Sequence, residues 1–163
     1  MVIRVTGPES SGKTTLARAL AWCLDGAYVA EQARPYLHQR GGSYTEQDLR
    51  YIWQQQVREE FRARQSGASY VICDTGPEVI YIWGQVKYGR SAAPVRHDLQ
   101  QRSYDLTLLC APDLPWVPDP LREAPDLRQR QELFVRYQTL LPEAVVIRGQ
   151  DRIGQALRRS LPA

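Results

Sequence analysis

The chain has 163 residues, enough for one domain with a proper core and too few for a second of similar size. Hydrophobic residues make up 43% of it and charged residues 24%, the balance of an ordinary globular protein, and no apolar run approaches the roughly eighteen residues of a membrane span. The net charge of +3 is spread along the chain with no basic stripe interleaved with aromatics, which ranks nucleic-acid binding lowest among the possible functions.

Met1 leads directly into the β-branched run Val2-Ile3-Arg4-Val5-Thr6, which leaves no place for a signal peptide and suggests a cytoplasmic protein. That run reads as a first strand. Gly7-Pro8-Glu9-Ser10-Ser11-Gly12-Lys13-Thr14 follows it, matches G-x-x-x-x-G-K-[ST], and opens a helical segment, the context a phosphate-binding loop requires. Gly7 and Gly12 let the backbone curl, so that successive N–H groups across Glu9, Ser10, Ser11 and on to Thr15 face phosphate oxygens at the positive end of the helix dipole. Lys13 can reach the β- and γ-phosphates of ATP, and the Thr14 hydroxyl can sit on Mg²⁺.

Leu16, Leu20, Cys23 and Leu24 recur at helical spacing and predict a helix with one face on a sheet. Asp25-Gly26 stops it. Ala27 to Ala30 predicts a second buried strand, whose end carries Glu31, Arg34 and Tyr36, where ligands bind in open α/β sheets. After Gly41-Gly42, Thr45 and Asp48 resemble a capping box opening a helix to about Arg64. Leu49, Ile52, Trp53, Val57 and Phe61 mark its inward stripe, and Gln54, Gln55 and Gln56 read as mostly solvated surface.

Tyr70-Val71-Ile72-Cys73-Asp74 is an apolar strand ending in a carboxylate, the pattern in which an aspartate beside a phosphate loop holds Mg²⁺. Pro77 suits the first turn of a helix to about Lys87, with a loop and a short helix after it. His38 and His97 read as surface residues. Asp105 to Cys110 predicts a fourth strand. The segment from Ala111 to Pro125 then holds five of the eleven prolines together with Trp116, Asp119, Arg122 and Glu123, and Arg128 and Arg130 come soon after. Arginines beyond the fourth strand of such a sheet are placed to close over a triphosphate, so residues 111–130 read as a lid. A helix from about Asp126 to Leu141, a strand over Ala144–Ile147 and a helix from about Arg152 to Leu161 complete the chain. Five apolar strands separated by helices predict an α/β fold, a mainly parallel sheet with helices on both faces. Cys23, Cys73 and Cys110, odd in number and without metal-ligand spacing, read as buried reduced thiols.

Gly7 to Leu16, Glu31-Gln32-Ala33-Arg34, Cys73-Asp74-Thr75, Tyr104 to Leu109 and Pro115-Trp116-Val117-Pro118-Asp119-Pro120-Leu121-Arg122 occur in the order seen in the nicotinamide riboside kinase domain of the bacterial NAD-biosynthesis regulator. The chain resembles that family over nearly its whole length. The resemblance implies a single P-loop kinase domain over residues 1–163 that uses ATP and Mg²⁺ to phosphorylate the 5′-hydroxyl of a ribonucleoside, nicotinamide riboside in the first instance. It implies that Lys13 and Thr14 handle phosphate and metal, that Asp74 serves metal or acceptor, and that Arg122 and Arg128 cover the transferring phosphoryl. Either Asp74 or Glu31 could take the hydroxyl proton, and Glu31, Arg34 and Trp53 are the candidate acceptor contacts.

Two positions depart from the family: Ala30 stands where a tryptophan is frequent, and Gly76 where Asp-Thr-Asp would place a second carboxylate. Both positions are expected to face the acceptor, with Trp53 or Trp83 as the replacement stacking partner. Two other readings compete with the first. One is a kinase for another nucleoside, a nucleotide or a nucleic-acid 5′ end; the other is a nucleotide-sensing module with little catalysis. Partners beyond nucleotide and small-molecule substrate, oligomeric state included, leave no mark in the sequence.

Overall fold

A computed structural model describes residues 1–161. The elements run β1 (Val2–Thr6), α1 (Lys13–Cys23), β2 (Ala27–Val29), α2 (Ala33–Gln39), α3 (Glu46–Arg64), β3 (Val71–Asp74), α4 (Pro77–Tyr88), α5 (Ala93–Gln101), β4 (Leu106–Cys110), α6 (Leu127–Leu140), β5 (Val145–Ile147) and α7 (Arg152–Ser160). The five strands form one sheet in the order β2-β3-β1-β4-β5, and every adjacent pair is parallel. Parallel strands need crossovers that cover both faces, and this explains why β3 and β4 read as mostly apolar runs.

Alternation along β1 divides the core. Ile3 and Val5 join Leu16, Leu20 and Ala156 beneath α1 and α7, and each fully buried leucine stabilises the fold by about 2 kcal/mol. Arg4 points to the opposite face, where its guanidinium donates to Glu78 Oε2 at 2.9 Å and to Thr107 Oγ1 at 3.0 Å. Helices α3, α4 and α5 close that side, with α6 reaching it through Tyr137.

The predicted order of strands and helices matches, with one addition: the segment carrying Arg34 and Tyr36 forms the short helix α2. Three burial expectations change. Cys23 is exposed, because α1 turns Leu16, Ala17, Leu20 and Ala21 inward; Cys73 and Cys110 are buried. In α3 the inward face is Asp48, Leu49, Ile52, Gln56 and Glu60, whereas Phe61 is 57% exposed. The reason is polar. Glu60 is 1% exposed and accepts from Arg64 Nε (2.8 Å), Arg102 Nη1 (3.1 Å) and the Tyr104 hydroxyl (2.8 Å), so three donors offset its desolvation and hold that face inward. Gln56 is buried as well, its Oε1 accepting the Gln32 N–H at 2.9 Å. The capping box forms, with Asp48 bonded to the Thr45 N–H at 2.8 Å and Asp48 N–H to Thr45 Oγ1 at 3.3 Å.

Candidate active site

The phosphate loop spans the gap from β1 to α1. Gly7 has φ 137°, and a Cβ there would lie 2.5 Å from the Cys110 carbonyl oxygen, so β4 approaches too closely for any other residue. Gly12, at φ 79°, turns the chain into α1, whose first N–H groups therefore point back into the loop. Ser11 Oγ donates to the Pro8 carbonyl at 2.7 Å and Lys13 Nζ to the same oxygen at 2.8 Å. From below, the buried Arg152 of α7 donates to the Ser11 carbonyl at 2.8 Å, to the Ala111 carbonyl at 3.2 Å and to Asp113.

The register Val5↔Asp74 brings the end of β3 beside the start of the loop, and Thr75 N–H closes the corner onto the Val5 carbonyl at 2.9 Å. Asp74 is fully buried. Its Oδ2 accepts the Tyr28 hydroxyl at 3.1 Å, while Oδ1 has no partner among the described residues. Burial and the neighbouring Asp74 carboxylate push the Tyr28 hydroxyl up to about 12.

Glu31 follows β2 and lines a cavity of about 520 Å³ that also exposes Lys13, Thr14 and Thr15. Desolvation raises its carboxyl above the usual glutamate range; the carboxylates of Asp74 and Glu9 add to the rise, and the charges of Lys13 and Arg34 oppose it. Arg34 is bound to Asp119 at 2.7 Å, which raises the guanidinium and lowers the carboxyl.

The proline-rich segment lies across the loop. Glu9 Oε2 accepts the backbone N–H groups of Glu123 and Ala124, both at 2.9 Å, and Ser10 Oγ accepts Val117 N–H at 3.1 Å. Arg122 lines the cavity, donates to the Val117 carbonyl and lies 5.7 Å from the Trp116 ring centroid; the buried Arg130 lies 5.3 Å from the same ring. The lining also includes the apolar side chains Val79, Ile82 and Leu133 together with Tyr44 and Trp83, whose rings stack at 5.7 Å.

Gly7, Glu9, Ser10, Ser11, Gly12, Lys13, Thr14, Thr15, Glu31, Arg34 and Arg122 therefore meet in one cavity. Three sequence candidates stand elsewhere. Trp53 does not line it: its indole N–H is taken by Asp98 at 2.8 Å, within the packing of α3 on α5. Arg128 is exposed and pairs with Glu132 at 3.3 Å, one turn along α6. Asp74 lies behind the lining, within electrostatic reach of Glu31. The acceptor-facing expectation also fails at Gly76, where a Cβ would meet Glu78 Oε2 at 2.7 Å, the Tyr104 hydroxyl at 2.8 Å and Arg4 Cδ at 2.9 Å. Arg136 was missed. The signal was the α6 stripe Gln129, Leu133, Arg136 and Tyr137, spaced i, i+4, i+7, i+8, all of which line the cavity.

Comparison with known proteins gives three results. The family model described as an AAA domain matches residues 2–149. No curated protein matches the chain. Among solved structures, the NadR protein in complex with NR is similar over 98% of this chain and 50% of its own, with TM-score 0.75 and 21% identity. The NadR protein with NAD and AMP-PNP is similar over 96% and 47%, with TM-score 0.71 and 22% identity. A deoxyadenosine kinase from M.mycoides, bound to its products, covers 98% of both chains with TM-score 0.68 and 13% identity. The chain spans about half the length of the two NadR structures, and the fold it shares with all three is that of P-loop kinases.

Proposed function

The chain belongs to the AAA domain family, and from that premise we propose that it is a phosphotransferase that moves the γ-phosphoryl of ATP to the 5′-hydroxyl of a nucleoside, nicotinamide riboside first among them. One observation carries the reading: Glu31, a carboxyl with raised proton affinity, shares a single cavity with Lys13 of the phosphate loop. Phosphoryl transfer is mainly a matter of positioning and of neutralising charge on the equatorial oxygens, and a strand-end carboxylate can accept the acceptor's proton as its oxygen attacks. Glu31 is the better candidate for that base, because Asp74 is fully buried, does not line the cavity and already holds the Tyr28 hydroxyl.

Lys13 exchanges the Pro8 carbonyl for β- and γ-phosphate oxygens, and Arg122 exchanges the Val117 carbonyl for the transferring group. Residues 111–130 act as the lid that excludes water. Thr14 lines the cavity and its hydroxyl would hold Mg²⁺, with the unpartnered Oδ1 of the buried Asp74 reaching the ion through water; when bound, the ion would supply charge neutralisation on the phosphates. Trp83, which lines the cavity stacked on Tyr44, takes the stacking role that Ala30 gives up.

The test is a mass-spectrometric screen of ATP, Mg²⁺ and a nucleoside mixture containing nicotinamide riboside. The expected result is a single nucleoside gaining one phosphoryl mass with matching ADP. A mixture that leaves every nucleoside unmodified and ADP formation unaccelerated would overturn the proposal.

A further inference from the structure

The glutamate inside the phosphate loop takes no part in the chemistry above, and its position is electrostatically unfavourable for a site that binds a polyanion. One oxygen of its carboxylate is nonetheless doubly employed. Glu9 Oε2 accepts the backbone N–H groups of Glu123 and Ala124, residues 114 and 115 positions away along the chain. The next residue repeats the arrangement: the Ser10 hydroxyl donates to the Pro115 carbonyl at 3.3 Å and accepts the Val117 N–H at 3.1 Å. Two adjacent loop residues thus hold both ends of the segment from Pro115 to Ala124. Arg122 comes immediately before the amides that Glu9 grips.

We propose that Glu9 is a positioning residue that couples closure of the 111–130 segment to occupancy of the phosphate loop. With the segment closed, two N–H donors neutralise the carboxylate and Arg122 is held over the loop. With it open, a bare carboxylate stands among the N–H groups that receive phosphate, and it repels the donor. Closure therefore removes a repulsion and delivers a cation in one movement. Bonds from an ionised acceptor are about twice as strong as neutral ones, so a loop carboxylate holds the segment better than a serine or an amide would. The inference rests on reading the chain as a phosphotransferase with a lid, and it is testable without knowing the acceptor.

The two informative variants are Glu9→Ala, which removes charge and acceptor together, and Glu9→Gln, which keeps an acceptor oxygen and loses the charge. Hydrogen exchange followed by mass spectrometry reads the amides of residues 121–127, with AMP-PNP as the probe nucleotide. Exchange in the free protein is expected to quicken roughly tenfold in Glu9→Ala and by no more than about threefold in Glu9→Gln. AMP-PNP is expected to slow exchange there in the wild type and to lose most of that effect in both variants, because neither carries the charge that closure neutralises. With an acceptor in hand, Glu9→Ala lowers kcat roughly tenfold while the nucleotide KM moves less than about threefold, and Glu9→Gln falls between wild type and Glu9→Ala.

Unchanged exchange in free Glu9→Ala, or AMP-PNP protection in either variant equal to that in the wild type, overturns the proposal. If the exchange pattern appears as described and no nucleoside is phosphorylated, the coupling stands and the functional reading falls.

Discussion

Restoring the family's second carboxylate by Gly76→Asp is expected to damage this protein, and the structure supplies the size of the effect. Gly76 is extended, so its backbone tolerates a side chain; the obstacle is space and charge. A Cβ there would meet Glu78 Oε2 at 2.7 Å, the Tyr104 hydroxyl at 2.8 Å and Arg4 Cδ at 2.9 Å. Glu78 has no exposure and Arg4 only 7%, so neither can swing into solvent to make room. Overpacking of this kind costs about 1–3 kcal/mol. The new carboxylate would lie about 4 Å from that of Glu78, and two like charges at that distance repel by about 4 kcal/mol at an effective dielectric constant near 20. Protonation of the new acid relieves part of this, leaving a total near 4 kcal/mol, or a fall in Tm of roughly 10 °C for a domain of this size. Thermal and urea unfolding of Gly76→Asp beside Gly76→Ala separates the terms, because alanine carries only the steric one. The Asp–Ala difference should shrink on going from pH 8 to pH 5 as the introduced acid protonates. A Gly76→Asp protein that melts within 2 °C of wild type, or that binds acceptor more tightly, would refute the reasoning.

Glu31→Gln should lower kcat by roughly 10²–10⁴ if Glu31 is the base, leaving AMP-PNP affinity within a few-fold. The same variant has a stability signature with a definite sign. A carboxyl whose folded pKa is raised contributes stability that is fully present below its unfolded pKa and lost as pH rises through the folded value, so Glu31→Gln should raise Tm at pH 8 and converge with wild type near pH 4. A Tm difference that grows toward pH 4 would contradict this environment for Glu31. The two tryptophans should behave oppositely. Trp83→Ala is expected to raise the acceptor KM at least tenfold with little change for ATP, whereas Trp53→Phe, which strips Asp98 of its indole donor, should lower Tm by several degrees and leave the acceptor KM alone. Steady-state kinetics and melting curves on the two proteins decide it.

The difference between these tryptophans marks the limit of a linear reading. Trp53 lay on an apolar stripe and was a fair stacking candidate, but its indole N–H is answered from Asp98, 45 residues on, and only the packing of α3 against α5 reveals that. Arg128 and Arg136 share one helix, and the i+4 to i+8 pattern could have chosen between them had the cavity's direction been known. Cys23 is exposed despite its apolar neighbours, because an apolar neighbourhood in sequence says nothing of which side of α1 meets the sheet.

What the sequence determined alone was local in origin. The phosphate loop between strand and helix, the five apolar strands, the Thr45–Asp48 capping box and the carboxylates at the ends of β2 and β3 all follow from residue type at short spacing, where backbone geometry leaves few alternatives. Tertiary structure decided whatever depends on partners far away in the chain. It buried Glu60 among Arg64, Arg102 and Tyr104, filled the space beside Gly76 with Arg4 and Glu78, and bound Glu9 to amides more than a hundred residues distant. A charged group can be buried only where donors converge on it, and that convergence is a property of the packed sheet and its helices.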